Sequence, residues 1–395
     1  MQDIRPHVAI SAHLLASGRA AGYRSAGIHT YITHLLQHLP HVDEAFRYTV
    51  YTNAHPSIAN HTIIRQARWP TAKPPVRIAW EQLAQPFALR RDRPDLLHAM
   101  AFVTPLMSQQ PAVVTVYDLS FALFPQYFRG LNQTYLRTFT RWSVRRARRV
   151  IAISEHTRRD VNRLYGVPFD RIDVARPGVD ADFRPVPRDK AEAFRRKHAL
   201  PDRFFLYLGT LEPRKNLSRL VDAFAQLSRL PGSSARPSGD AQHTSQPYLV
   251  FVGGKGWLYD ELFEKVKALG LEECVRFAGF APGEDLPLWY STATAFIYPS
   301  TYEGFGMPPL EAMACGTPAI TSNTSSLPEA VGDAALTIGP EDVTGLAQAM
   351  RRVWDDEALR GELSRRGIER ARHFNWEATA RATVESYRQA LGGSS

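Results

Sequence analysis

Apolar residues along this chain gather in short continuous runs, separated by longer stretches with helical periodicity. In the first half the runs are His7–Ala12, Tyr48–Asn53, Asp95–Met100, Ala112–Leu119, Arg149–Ser154 and Ile172–Ala175. Helical spacing falls between several of them, at about Ile28–Leu39, Asn132–Ala147 and Glu155–Tyr165. In the second half the runs are Phe204–Gly209, Tyr248–Gly253, Val275–Ala278, Ala293–Tyr298 and Pro318–Thr321. Helices are expected there near Leu217–Leu230, Tyr259–Leu269, Glu311–Ala314, Thr344–Val353 and Trp376–Leu391. A strand that is apolar throughout is buried on both faces, and such strands alternating with helices form parallel, helix-covered sheets. The pattern occurs twice, which predicts an α/β chain of two doubly wound domains. Pro177-Gly178 and Pro185-Val186-Pro187 interrupt both periodicities and place the boundary within Arg176–Pro187. The domains expected are therefore residues 1–180 and 181–375. Residues 231–247, rich in Ser, Pro and Gly, read as a surface insertion between a helix and a strand.

Composition agrees with that division. A chain of 395 residues exceeds one ordinary core, and 44% hydrophobic with 22% charged residues is a globular balance. No apolar run approaches the roughly 18–20 residues of a membrane-spanning helix. The first residues lack the long apolar region of a signal peptide. Cys274 and Cys315 show neither metal nor redox spacing, so a reducing, cytoplasmic location is expected. The charge is lopsided: residues 1–180 hold 23 Lys+Arg against 12 Asp+Glu, and residues 181–395 hold 25 against 27. A basic first half suits an anionic partner such as a membrane surface or a lipid diphosphate, or is simply a solvated face. Arg137, Arg141, Arg145, Arg148 and Arg149 recur at about helical spacing, with the same two readings: a solvated face, or peripheral attachment at the inner face of the cell membrane. No interleaved aromatics or base-reading motif accompany them, so no nucleic-acid partner is expected.

Ligands of doubly wound sheets bind beyond the carboxyl ends of the strands, where strand order switches, and two such domains are expected to face a central cleft. The candidate residues lie just after strands. Leu208-Gly209-Thr210-Leu211-Glu212-Pro213-Arg214-Lys215-Asn216 leaves one strand and enters a helix. Arg214 and Lys215 near a helix N-terminus read as an anion site, with a diphosphate the obvious guest, or as a surface pair. The absence of G-x-G-x-x-G argues against a dinucleotide oxidoreductase. Tyr302-Glu303-Gly304-Phe305-Gly306-Met307-Pro308-Pro309-Leu310-Glu311 sets two carboxylates either side of a strand-to-helix turn. A carboxylate accepts hydrogen bonds from vicinal hydroxyls, and Gly304 and Gly306 admit a ligand close to the backbone. The plain alternative is a tight turn with Glu311 as a helix-dipole partner. Gly27, after the first strand, admits a phosphate or is a loop glycine. Asp118 ends a buried strand, either as a cap or facing the cleft, and His98 reads as a satisfied buried histidine.

In this order, these segments resemble the retaining glycosyltransferases of family 4, which have the GT-B fold. The resemblance covers nearly the whole chain. It rests on Gly27-Ile28, Tyr117-Asp118-Leu119-Ser120-Phe121, Ile151-Ala152-Ile153-Ser154-Glu155, Pro177-Gly178-Val179-Asp180 and Glu212-Pro213-Arg214-Lys215-Asn216. It continues through Val252-Gly253-Gly254-Lys255-Gly256-Trp257, the Glu303…Glu311 pair, Pro318 and Ser326-Leu327-Pro328-Glu329. The resemblance implies that Glu303 holds hydroxyls of a donor sugar, helped by the amides of Gly304, Phe305, Gly306 and Met307. It implies ribose binding by Glu311, diphosphate neutralisation by Arg214 and Lys215, and a place near the base for Phe280. Gly27 would face the diphosphate from the other domain, and a C-terminal helix, 376–391, would cross back to complete the first domain. Many relatives have His where this chain has Tyr117, so either the Tyr117 hydroxyl or Asp118 takes that contact. Many also have Arg at Thr210, which leaves the diphosphate more dependent on Arg214 and Lys215.

The family transfers sugar with retention and usually without a bound metal, so no cofactor is expected and the sugar nucleotide is a co-substrate. Similarity to bacterial mannosyltransferases of surface-polysaccharide synthesis suggests GDP-mannose as donor and a glycan on a lipid diphosphate as acceptor. A UDP-sugar donor is the alternative within the class. Outside it stand a sugar-nucleotide epimerase of the same fold and a non-catalytic sugar-nucleotide binder.

Overall fold

The structure, a computed structural model, describes residues 4–15, 26–54, 62–67, 69, 71, 73–127, 131–229, 246–254 and 259–392. Tyr23-Arg24-Ser25, most of the Ser/Pro/Gly-rich insertion and Lys255-Gly256-Trp257 lie outside them. The chain divides into two compact units, one of residues 1–178 with 375–395, the other of residues 179–374.

The first unit carries strands β1 (His7–Ser11), β2 (Arg47–Thr52), β3 (Thr62–Gln66), β4 (Leu96–Ala99), β5 (Ala112–Val116), β6 (Arg149–Ala152) and β7 (Ile172–Val174). All neighbours pair in parallel, in the order β3-β2-β1-β4-β5-β6-β7. Its helices before the crossover are α1 (Ala26–Val42), α2 (Pro74–Ala79), α3 (Gln85–Asp92), α4 (Ser120–Leu123), α5 (Leu131–Arg146) and α6 (Glu155–Tyr165), with a π-helical turn, Trp80–Ala84, between α2 and α3. The chain reverses its winding direction between β1 and β4.

The second unit contains strands β8 (Phe205–Leu208), β9 (Leu249–Val252), β10 (Val275–Gly279), β11 (Ala295–Tyr298), β12 (Ala319–Ser322) and β13 (Leu336–Ile338). These also pair in parallel, in the order β10-β9-β8-β11-β12-β13, with the switch between β8 and β11. Its helices are α7 (Arg188–Lys197), α8 (Leu217–Arg229), α9 (Tyr259–Ala268), α10 (Leu286–Thr292), α11 (Met307–Ala314), α12 (Leu327–Val331), α13 (Val343–Asp355) and α14 (Glu357–Arg372). Phe205, Leu206 and Tyr207 of β8 and Phe296, Ile297 and Tyr298 of β11 are fully or almost fully buried, so the two strands flanking the switch form the middle of the core.

Helix α15 (Trp376–Ala390) belongs to the first unit. Its N-cap Asn375 accepts the amide of Ala378 at 2.8 Å, a preferred capping residue in its usual role. The Tyr387 hydroxyl meets Nδ1 of His98 at 2.7 Å, and Thr115 meets Nε2 at 2.8 Å. Burial alone pushes the His98 pKa down to about 3, so the ring is neutral and bridges helix and sheet. A Cβ on Gly178 would lie 2.3 Å from the Trp376 nitrogen, so only glycine allows these two backbone segments to touch.

The structure corrects the sequence reading in places. β3 and β13, both sheet edges, carry no continuous apolar run and lie outside the strands expected from the sequence. The helix expected to open at Glu311 begins at Met307, with Pro308 in its first turn where a missing N–H costs nothing. Helices α2, α3, α4, α7, α10, α12 and α14 are also absent from the sequence reading.

Candidate functional site

The loops after β8 and β11 converge because those strands are neighbours at the switch of the second sheet, which brings Arg214 and Lys215 onto Glu303. Pro213–Lys215 is a single 3-10 turn ended by Asn216 in the left-handed region, φ 61°. The Asn216 side-chain amide donates to the carbonyls of Pro299 and Pro340, at 3.1 and 2.6 Å, and so fixes the loop to the β11 loop. Lys215 Nζ donates to Glu303 Oε1 at 2.6 Å and to the Tyr298 hydroxyl at 2.5 Å. Arg214 Nη1 donates to Glu303 Oε2 and to the Tyr302 carbonyl, each at 3.0 Å, while its Nε lies 3.4 Å from Glu212.

Glu303 is thus a buried carboxylate held by two cations. Burial alone would raise its pKa, but the charges of Arg214 and Lys215 hold it down to about 2. Burial lowers that of Lys215, as does the neighbouring Arg214, against the pull of Glu303. The β12–α12 loop holds the turn around Glu303. Ser325 Oγ accepts the Glu303 amide at 3.0 Å, and Ser326 Oγ donates to the carbonyls of Glu303 and Phe305 at 2.9 and 2.8 Å. Gly306 caps α11 with φ 115°, and a Cβ there would press within 2.8 Å of Leu327. Pro308 and Pro309 have no N–H, so the donors of this first turn are the amides around Gly306 and Met307. Gly304, Phe305 and Gly306 are buried and Met307 half-buried.

Glu311 sits in the second turn of α11, and no cation among the described residues pairs with it. Tyr290 donates to its Oε2 at 3.0 Å, and burial, aided by Asp180, outweighs that bond and pushes its pKa up to about 7. The two carboxylates of one ten-residue stretch therefore differ in kind, one locked as an anion and one poised near neutrality.

The remaining predicted residues are placed elsewhere. Phe280 follows the edge strand β10 with its ring 65% exposed. In the first unit, Gly27 is exposed in the first turn of α1, and a Cβ there would meet nothing within 4 Å. Tyr117 is buried edge-on to Tyr31 and Phe102, and its hydroxyl has no hydrogen-bond partner among the described residues. Asp118 Oδ1 accepts the Ser120 amide at 2.9 Å and the Ser120 hydroxyl at 2.6 Å, a local turn just before α4. The sequence reading missed Tyr298, Tyr290 and Ser325. A serine in the loop after a strand is a weak signal, and a buried tyrosine in a strand or helix reads as core.

Among the described residues no group of three or more His, Cys, Asp and Glu side chains is placed to hold a metal ion. No helix among them is long and apolar enough to cross a membrane.

Comparison with known proteins matches residues 189–374 to the family Glycosyl transferases group 1 and residues 25–183 to Glycosyltransferase Family 4. The chain is 34% identical over 308 residues to the O-antigen chain mannosyltransferase B of Escherichia coli, with 77% of each protein aligned. Among solved structures, sucrose-phosphate synthase from Thermosynechococcus elongatus superposes with a TM-score of 0.70 at 23% identity, over 99% of this chain and 100% of that one. Anabaena Alr3699/HepE, solved with UDP and glucose, superposes with a TM-score of 0.71 at 20% identity, over 96% and 98%.

Proposed function

The chain is a GT-B glycosyltransferase of the group 1 and family 4 type, and from that premise we propose that it moves mannose from GDP-mannose, with retention, onto a glycan carried on a lipid diphosphate. The observation that carries this reading is the buried Arg214–Lys215–Glu303 network at the strand switch. Similarity to an O-antigen mannosyltransferase supports the choice of sugar and of a surface-polysaccharide acceptor. The surplus of Lys and Arg in residues 1–180 supports an anionic acceptor and peripheral contact with an anionic membrane.

In the proposed reaction the bond between the anomeric carbon and the diphosphate oxygen breaks, and negative charge grows on the departing phosphate. Arg214 and Lys215 stabilise that charge more than they stabilise the intact donor, which accelerates the step. Glu303 orients both cations and accepts sugar hydroxyls with its remaining lone pairs. Glu311, ionised, accepts the two ribose hydroxyls. The acceptor oxygen attacks from the face the phosphate leaves, and its proton passes to the departing phosphate oxygen. No resident metal or cofactor takes part in this scheme.

A panel of GDP-mannose, UDP-glucose and related donors, scored for nucleotide release with and without mannosylated acceptors, tests the reading. Acceptor-dependent GDP release is expected. Release of UDP alone would replace the donor, and tight binding without release would refute transfer.

A further inference from the structure

The first unit holds a polar cavity, of about 180 Å³, at the amino ends of β5 and β6. Ligands of such sheets bind at the opposite, carboxyl edge, so this cavity is no part of the site above. Thr104, Ser108, Gln109 and Gln110 line it together with Arg146 and Arg148, and no carboxylate among the described residues does. The wall is built, not draped. Arg146 donates to the carbonyls of Leu106 and Ser108 at 3.2 and 2.8 Å, Thr104 is tied to Ser143, and the Leu106 amide is tied to Gln82 at 3.0 Å.

Three features point to one class of ligand. The Arg148 guanidinium is exposed and makes no ion pair or side-chain hydrogen bond among the described residues, although it borders the cavity. The carboxyl end of α5, whose dipole would repel an anion, is capped by Arg171, which donates to the carbonyls of Arg145 and Ala147. At the tip of the same loop, Leu106 and Met107 are 41% and 58% exposed, next to a cationic pocket. Cations beside an exposed apolar tip match an amphiphile, not a soluble anion. By contrast Arg145 and Arg149 of the basic stripe are spent within the unit, on the Tyr165 carbonyl and on Asp173.

We propose that this cavity takes the phosphate head group of an anionic membrane lipid, with Leu106 and Met107 entering the acyl boundary beside it. The proposal rests on the membrane contact of the preceding reading and assigns it a place. Co-sedimentation with phosphatidylcholine vesicles, with and without phosphatidylglycerol, tests both levels. The unaltered chain is expected to bind only the phosphatidylglycerol vesicles. Arg148→Gln should lower that partition about five-fold, and Met107→Asp should lower it comparably, with melting temperature and donor turnover on a soluble acceptor unchanged. Arg137→Gln, on α5 outside the cavity, should lower it less than either.

Equal losses from Arg148→Gln and Arg137→Gln would dissolve the site into a diffuse basic face and overturn the proposal. Calorimetric binding of glycerol 3-phosphate without vesicle binding would assign the cavity to a soluble phosphate and overturn it too. Failure of the unaltered chain to bind vesicles at all would remove the membrane contact itself, while leaving the transfer reaction to the donor panel.

Discussion

Glu303→Gln converts the buried network into a buried cation without its anion while keeping the side chain's shape. Lys215 and Glu303 are each 9% exposed, and their contact is 2.6 Å. Removing one partner of such a pair costs about 3–5 kcal/mol, because the remaining charge stays out of water unbalanced. A second route gives a similar figure. The Glu303 carboxyl is held at about 2 against an ordinary 4.5, and that difference is worth about 3 kcal/mol of stability. A depressed acid contributes that stability in full above its unfolded value, and the contribution is lost as pH falls from about 4.5 to about 2.

At neutral pH, then, Glu303→Gln should lower the melting temperature of the second unit by roughly 6–20 °C. Lys215→Met should be similarly harmful, but the double variant should recover about 2–3 kcal/mol relative to the sum of the two, because it leaves no unbalanced charge between them. Arg214 retains Glu212 as a partner in that variant. Denaturant unfolding of the four proteins at neutral pH measures the coupling. Additive single effects would refute the idea that one buried pair organises the site.

Glu311→Gln tests the second carboxyl. Its pKa is raised from 4.5 to about 7, so ionising it costs stability as pH climbs through that window, reaching about 3 kcal/mol above it. Glu311→Gln should therefore be more stable than the parent at pH above 7 but not at low pH, and should bind donor more weakly. Parallel stability curves across that range would contradict the assignment. Tyr387→Phe deprives His98 Nδ1 of its partner and should cost about 1–3 kcal/mol in denaturant unfolding. An unchanged midpoint would mean that α15 does not depend on this bond.

Which elements were legible follows from where each one lies. Interior strands such as β8 and β11 are buried on both faces, so they appear as unbroken apolar runs. β3 sits at a sheet edge, where Ile63 to Gln66 are exposed, so Thr62–Gln66 carries no such run. β13 closes the other sheet and is invisible for the same reason. In Met307–Ala314 the helix starts four residues before the Glu311 expected from the apolar spacing, because proline is at home in a first turn. The stretch from Pro74 to Asp92 hides its helices behind three prolines and a π-helical turn, which shifts the apolar spacing away from a single helical period.

The site was legible as a set of residue types but not as a network. Reading along the chain gave Arg214 and Lys215 one task and Glu303 another, since the loops that carry them are far apart in sequence. Strand order joins them: β8 and β11 are neighbours only because the winding reverses there. In the proposed reaction that contact changes the chemistry offered to a sugar diphosphate. Such a ligand would not meet two bare cations, because Glu303 and Glu212 already balance Arg214 and Lys215. What it meets is geometry. A lysine ammonium has three N–H donors, and Tyr298 and Glu303 take two of those on Lys215, leaving one to aim at an incoming oxygen. The carboxylate thus aligns the donor before the ligand arrives. Little reorganisation then remains when charge appears on the leaving phosphate, which is the condition under which a fixed cation lowers a barrier most.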